Sequence, residues 1–381
     1  MKVRDQQRLA DARKVLIIRL EHIGDMLVST PAIRNIREGL PTAHITLVAS
    51  PYNAPVLKGC EYLDEILAYD RNWPASRKRE FAGGLRDRHY DLCVAMYPST
   101  ESHKLAFWSK ARIRAATVYS NRIVPRILAP IRLTHFLVLN IDAAAKRREY
   151  VPHEAEQLLQ LLRLIGLPAK DYPLHVPVRD EDMSWATNLV SQRHSGRTLI
   201  GVHLSEKWLW SGWTGIELAQ LLDEILRVIP DSSIVATYGP ADTRVVKQVA
   251  PYIESDDGIG FSGSLKGRVL MVGDVSFGRW AGLLSLCRVV VTRDTGSLHL
   301  AAALGRPVLA IYEKDNYHRN AQQWAPWKVP HFSMESGYFS ETSAEILRRL
   351  TALLSESSNH RPDRKSAGVI SVLDRGARAE S

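Results

Sequence analysis

Two short polar clusters, each placed directly after an apolar run, are where this sequence could do chemistry. The first is Glu21-His22-Ile23-Gly24-Asp25. Glycine lets backbone approach a ligand closely, and a carboxylate at the mouth of a helix is favoured by the positive end of its dipole. Asp25 therefore reads either as a cap on the turn Met26–Ser29 or as a general base taking a proton from a hydroxyl. The second cluster runs from Thr292 to Gly305, with Asp294, Thr295 and Ser297 crowding the start of a helix that Gly305 closes. Free N–H groups and the helix dipole at such a start suit a diphosphate. His299, one turn further on, could point at the same anion. The plainer alternative is ordinary capping, with His299 satisfied in the core or at the surface.

The elements that must position these clusters alternate in the manner of parallel α/β layers. Strands are predicted at Lys14–Leu20, His44–Ala49, Glu65–Tyr69 and Asp91–Met96, with a helix opened by Thr30 as N-cap and Pro31 as first helical residue. A long helix follows at His153–Ile165, closed by Gly166 and Pro168. Residues 169–182, with prolines at 173 and 177, read as a linker. The pattern then restarts with strands at Thr198–His203, Ser233–Tyr238, Arg288–Thr292 and Pro307–Ile311. Helices are predicted at Thr214–Val228 and, capped by Ser343, at Ala344–Leu354. The fold class is thus α/β, with two Rossmann-like doubly wound domains (1–168 and 183–355) facing each other across a cleft. Residues 356–381 read as a disordered tail. Ligands in such sheets bind beyond the carboxyl ends of the strands, where both clusters fall. No Gly-x-Gly-x-x-Gly follows the first strand of either half, which argues against a dehydrogenase.

At 381 residues the chain suits two domains, and 45% hydrophobic with 24% charged residues is ordinary for a globular protein. No apolar run reaches membrane-spanning length, and the polar start lacks a signal-peptide segment. The expected place is cytoplasmic, touching the inner membrane face peripherally if it meets a membrane at all. Cys60, Cys93 and Cys287 show no metal spacing and read as small core residues. The formal charge of +9 permits nucleic acid, an anionic membrane surface or an anionic small substrate, but no nucleic-acid motif is present. The basic run within Ala144–Glu149 reads as a solvated face.

Together the two clusters resemble glycosyltransferase family 9, the lipopolysaccharide heptosyltransferases. The family opens with a strand, a small loop, Ile-Gly-Asp and a helix with a Thr-Pro pair, matched here by Val15 to Ile33. Its second signature, Asp-(Thr/Ser)-Gly-x-x-His-Leu-Ala-Ala-Ala-Leu-Gly-x-Pro, matches Asp294–Pro307 throughout. The resemblance spans about residues 14–355. It implies a GT-B fold and an inverting, metal-independent transfer of heptose from ADP-heptose to a hydroxyl of a lipopolysaccharide inner-core or related glycan, with no cofactor and no metal site. Asp25 matches the family's catalytic base, and Asp294, Thr295, Gly296 and His299 match its donor contacts. Lys207, soon followed by tryptophan, matches a cation for the leaving diphosphate, and Ser205 sits where a small hydroxyl meets phosphate. An acidic acceptor implies basic partners, for which Arg19, Arg112 and Arg122, with Arg71 and Arg114, are candidates, since arginine grips carboxylate and phosphate bidentately.

The chain also departs from the family. Lys-x-Trp-Pro is replaced by Lys207-Trp-Leu-Trp-Ser-Gly-Trp213, whose tryptophans read as packing. The text after the last predicted strand, Tyr312–Pro326, is unlike the family's Gly/Pro loop, and Leu265–Gly273 looks like an insertion. Three rivals follow: transfer of another nucleotide sugar to a glycan, protein or small molecule; a nucleotide-sugar epimerase; and a non-catalytic nucleotide-sugar sensor or scaffold.

Overall fold

A computed structural model describes residues 7, 9–194, 196–254 and 265–359. Its central strands are short apolar runs buried on both faces, as parallel sheets covered by helices require. The first half contains β1 (Lys14–Arg19), β2 (His44–Ala49), β3 (Glu65–Ala68), β4 (Leu92–Ala95), β5 (Ile113–Tyr119) and β6 (His135–Leu139). The second contains β7 (Thr198–His203), β8 (Ser232–Thr237), β9 (Val269–Val272), β10 (Val289–Arg293), β11 (Val308–Tyr312) and β12 (His331–Glu335). The spatial orders are β3-β2-β1-β4-β5-β6 and β12-β11-β10-β7-β8-β9, with every pairing parallel. Both halves therefore carry the doubly wound order, each reversing direction beside its first strand, between β1 and β4 and between β7 and β10.

The strands predicted from sequence are all present. The structure adds β5, β6, β9 and β12, which lie outside or beside the sheet centres and carry weaker apolar signals. Val269–Val272 is the edge strand β9, hydrogen-bonded along β8, so the stretch taken for an insertion belongs to the sheet. Between β1 and β2 a short helix, Ile23–Val28, precedes the expected one, which begins at Thr30 itself with Ser29 as its cap and Pro31 inside the first turn. Thr30 instead accepts a hydrogen bond from the His175 backbone at 2.9 Å. Residues 167–179 hold no helix or strand, and helix Asp180–His194 starts before the expected end of the linker. The last helix, Phe339–Asn359, starts before Ser343 and runs into the segment expected to be a tail. The rest of that tail, 360–381, lies outside the described residues. Among the described residues no helix is long and apolar enough to cross a membrane. All three cysteines are free and buried.

Several helices start where local chemistry dictates. Thr214 and Glu217 form a reciprocal capping box on helix Gly215–Val228, and His153 and Glu156 do the same on helix Glu154–Leu164. Helix Gly296–Ala303 is apolar all round because it is buried all round, between β10, β11 and helix Ile23–Val28 of the other half.

Four buried histidines tie stability to pH. Burial pushes His103, His203 and His299 down to about 4 and His153 to about 3. Their folded values lie below the unfolded value, so between about pH 6.5 and 4 the unfolded chain binds protons that the folded chain refuses. Stability is then complete above about pH 6.5 and falls by about 1.4 kcal/mol per histidine per pH unit on acidification. Melting temperature against pH should drop steeply from 6.5 to 5 with proton uptake on unfolding. A flat curve there would show that these imidazoles titrate freely in the folded protein.

Candidate functional site

The carboxyl ends of β1, β7 and β10 face one cavity of about 800 Å³ between the halves, lined by His22–Asp25 from the first and by Ser205, Lys207, Asp294–Gly296 and His299 from the second. The halves meet so closely that a Cβ on Gly24 would lie 2.6 Å from Cδ2 of His299, and one on Gly296 would touch Ile23 at 3.5 Å. Gly24 is therefore the residue that lets helix Gly296–Ala303 approach the loop after β1.

Asp25 is the third residue of helix Ile23–Val28, its side chain 12% exposed. Oδ2 accepts from the His22 backbone at 2.8 Å and lies 3.1 Å from His22 Nδ1. Oδ1 lies 3.3 Å from Nη2 of Arg19. Burial opposes its charge, but the Arg19 guanidinium and the His22 hydrogen bonds win and hold the carboxyl below the usual aspartate range. The same hydrogen bond raises His22. Asp25 is thus both a cap for His22 and an ionised carboxylate on the cavity wall. Its capping role is toward His22 at the start of helix Ile23–Val28, not toward the turn Met26–Ser29 expected from sequence.

On the opposite wall, β10 ends and Asp294 begins the turn into helix Gly296–Ala303, which Thr295 caps. Lys207 Nζ donates to the Asp294 carbonyl and lies 3.8 Å from its Oδ2. Asn320 Nδ2 approaches the same carboxylate at 3.3 Å. Burial raises Asp294, with Lys207 and Arg293 resisting. The Thr295 and Ser297 hydroxyls are 2.8 Å apart. Among the described residues the buried Ser205 hydroxyl has no hydrogen-bond partner, which leaves it able to meet a ligand oxygen. His299 is buried and, at about 4, uncharged at neutral pH. Its ring meets Trp324 edge-on at 6.0 Å. Deeper in the cavity, Tyr238, Phe277 and Trp280 supply an aromatic wall suited to a planar ring.

The sequence model of glycosyltransferase family 9 (heptosyltransferase) matches residues 258–339. The lipopolysaccharide heptosyltransferase 2 of Escherichia coli K12 is 22% identical over 315 residues, covering 78% of this chain and 82% of that one. Among solved structures, the glycosyl transferase family 9 protein of Veillonella parvula superposes with a TM-score of 0.73 at 20% identity, over 91% of this chain and 98% of that one. The E. coli ADP-heptose lps heptosyltransferase II gives a TM-score of 0.70 at 20% identity, over 91% and 99%. Over residues 258–339 this chain is similar to glycosyltransferase family 9, and it shares the fold of the solved structures named above. Its paired doubly wound halves are the GT-B fold.

The structure places the expected acceptor arginines in three different settings. Arg19 is fully buried at the end of β1 and does not face the cavity as an acceptor contact must. Its Nε donates to the Asp25 carbonyl at 3.0 Å, and Nη1 and Nη2 donate to Glu154 Oε1 at 3.2 and 3.3 Å. Burial opposes its charge, and Asp25, Glu154 and Glu21 more than restore it. Arg112 immediately precedes β5 and pairs with Asp91 at 3.7 Å, which puts it at the amino ends of the strands, away from the cleft. Arg114 is tied nearby to the Arg132 and Ala111 carbonyls. Only the sequence position relative to a strand end separates these from Arg122, which follows β5. Arg122 donates to the Tyr97 hydroxyl at 2.8 Å on the cleft side. Arg71, after β3, pairs with Glu21. Trp208 and Trp213 are buried and packed on each other at 4.8 Å, while Trp210 is exposed.

Sequence reasoning missed a buried network behind Asp25. Glu154 lies beside Arg19, and its Oε2 accepts from Tyr119 at 3.0 Å. Gln323 Nε2, from the second half, reaches the Tyr119 hydroxyl at 3.1 Å. Burial and the charge of Asp25 raise Glu154 against the pull of Arg19. Glu154 stands at a helix start, where an acidic residue is ordinary and gives no sign of burial. Gln323 and Asn320 sit in the stretch after β11 that departs from the family text, which was the one available signal.

Proposed function

We propose that this enzyme moves a heptose from ADP-heptose to a hydroxyl of an anionic lipopolysaccharide inner-core or related glycan, with inversion and without metal. The observation that carries this reading is the contact of Gly24 with His299, which brings Asp25 to the same cavity as Lys207, Asp294 and the start of helix Gly296–Ala303. The acceptor hydroxyl attacks the anomeric carbon, the bond to the diphosphate oxygen breaks, and Asp25 takes the hydroxyl proton. A base held below the usual aspartate range receives that proton late, once the new C–O bond has made the hydroxyl strongly acidic. Ser205, the Gly296 end of the helix and Lys207 meet the diphosphate where its negative charge grows. For this, Lys207 exchanges its hold on Asp294 for the departing phosphate. Asp294, Thr295 and His299 hold the donor sugar and phosphates, and Tyr238, Phe277 and Trp280 cover the base. Arg122 remains the acceptor arginine. A lipid-borne acceptor would bring the enzyme to the cytoplasmic face of the inner membrane.

Thermal shift with ADP, GDP, UDP and ADP-heptose tests the donor side. A ligand at 100 times its Kd should stabilise the fold by about 2.7 kcal/mol. ADP and ADP-heptose should raise the melting temperature, with most of the shift lost in Asp294→Ala. A preference for UDP or GDP would sink the heptose assignment and leave another nucleotide sugar as donor. No response to any of the four would remove the donor site and favour a scaffold.

A further inference from the structure

Helix Ile123–Arg132, between β5 and β6 at the edge of the first sheet, is amphipathic in the unusual sense. Its inward side is Pro125 and Ala129, and its outward side is apolar. Ile123, Val124, Ile127 and Ile131 are each 55–70% exposed. At 100° per residue these four fall within an arc of about 100°. Such a stripe leaves apolar area in water unless something covers it.

The charges around the stripe indicate what that is. From Asn121 to Asn140 there is no acidic residue, and the exposed Arg126 borders the stripe, with Arg122 and Arg132 at the two ends of the helix. Asn121, next to the helix start, donates to Asp142, which holds the short helix Ile141–Lys146 beside it. The exposed Lys146, Arg147 and Arg148 follow directly. A second copy packed face to face would set these basic flanks against each other, since a two-fold interface pairs a patch with itself. An anionic lipid surface complements both parts: acyl chains accept the isoleucines and headgroups accept the arginines.

We propose that this helix is a membrane-docking surface that lies in the headgroup layer of an anionic bilayer. Arg122 stands at the helix end nearest the cleft, so docking sets the first half's strand ends against the headgroups. There a lipid-carried acceptor would present its sugar, a consequence that rests on the function proposed above. Docking itself needs only the exposed stripe and its arginines.

The test is co-sedimentation of the full chain with vesicles of phosphatidylglycerol and phosphatidylcholine, and with phosphatidylcholine alone. The wild type should bind the anionic vesicles, less so in high salt. Ile127→Glu/Ile131→Glu should weaken this by about tenfold or more with the same melting temperature, since both side chains already face water. Arg126→Glu should weaken it while the stripe stays intact. A wild type that stays in the supernatant, or a double variant that sediments equally, overturns the proposal. So does a dimer on size exclusion that the double variant breaks, which would assign the face to a second copy. The vesicles contain no glycan acceptor, so a failure here leaves the transfer reaction untouched, and a failed donor or transfer assay leaves docking untouched.

Discussion

Asp25→Asn is expected to lower kcat by about 10³-fold, within the 10²–10⁴-fold that a positioned general base contributes, while the thermal shift given by ADP stays as in the wild type. Asparagine keeps the shape of the side chain and can still accept the backbone hydrogen bond from His22, now 2.8 Å long. It cannot take up a proton. Arg19 retains Glu154 as a counter-charge, so the fold should persist. Because Asp25 is held below the usual aspartate range, the wild-type rate should also stay level as pH falls through 5 and decline only below about 4, the ordinary aspartate value. The acid instability expected of the buried histidines must be separated from this by assaying short times at each pH. Unchanged turnover in Asp25→Asn would move the base elsewhere in the cleft.

The second large effect concerns Arg19, which acts through Asp25 as a positioning residue. Arg19→Met leaves Asp25 and the fully buried Glu154 without their shared cation. Breaking a buried pair by removing one partner costs about 3–5 kcal/mol, so urea unfolding should shift accordingly. The pH profile should move as well. With the guanidinium gone, only the His22 hydrogen bonds oppose burial at Asp25, its carboxyl rises, and the acid limb of kcat/KM moves to higher pH. Adding Glu154→Leu removes the other unpaired charge and should return part of the stability, while the acid limb stays high. A loss of stability with no movement of the limb would make Arg19 a structural residue only.

Much of the fold was legible because a parallel sheet buried on both faces needs continuous apolar strands. The runs at β1, β2, β7, β8, β10 and β11 carry that signal openly. Edge strands are short or bury less and read more weakly, so β6, with Val138 exposed, and the four-residue β9 were missed. The two motifs were legible for a related reason. Each is a strand end followed by a helix start, and such junctions are local, a few residues of glycine, acid and hydroxyl fixed by backbone geometry.

What the sequence by itself determined is therefore the strand–turn–helix units, the doubly wound pattern repeated twice, and the two polar clusters at strand ends. Only the tertiary structure decided which charges face the cleft. Arg19, Arg112 and Arg122 are alike as residues, yet one is buried against Asp25 and Glu154, one lies at the wrong ends of the strands, and one lies on the cleft side. The network from Asp25 through Arg19, Glu154 and Tyr119 to Gln323 joins residues up to about 300 positions apart. A side chain's charge state and partners depend on what burial places beside it, and no local spacing encodes that.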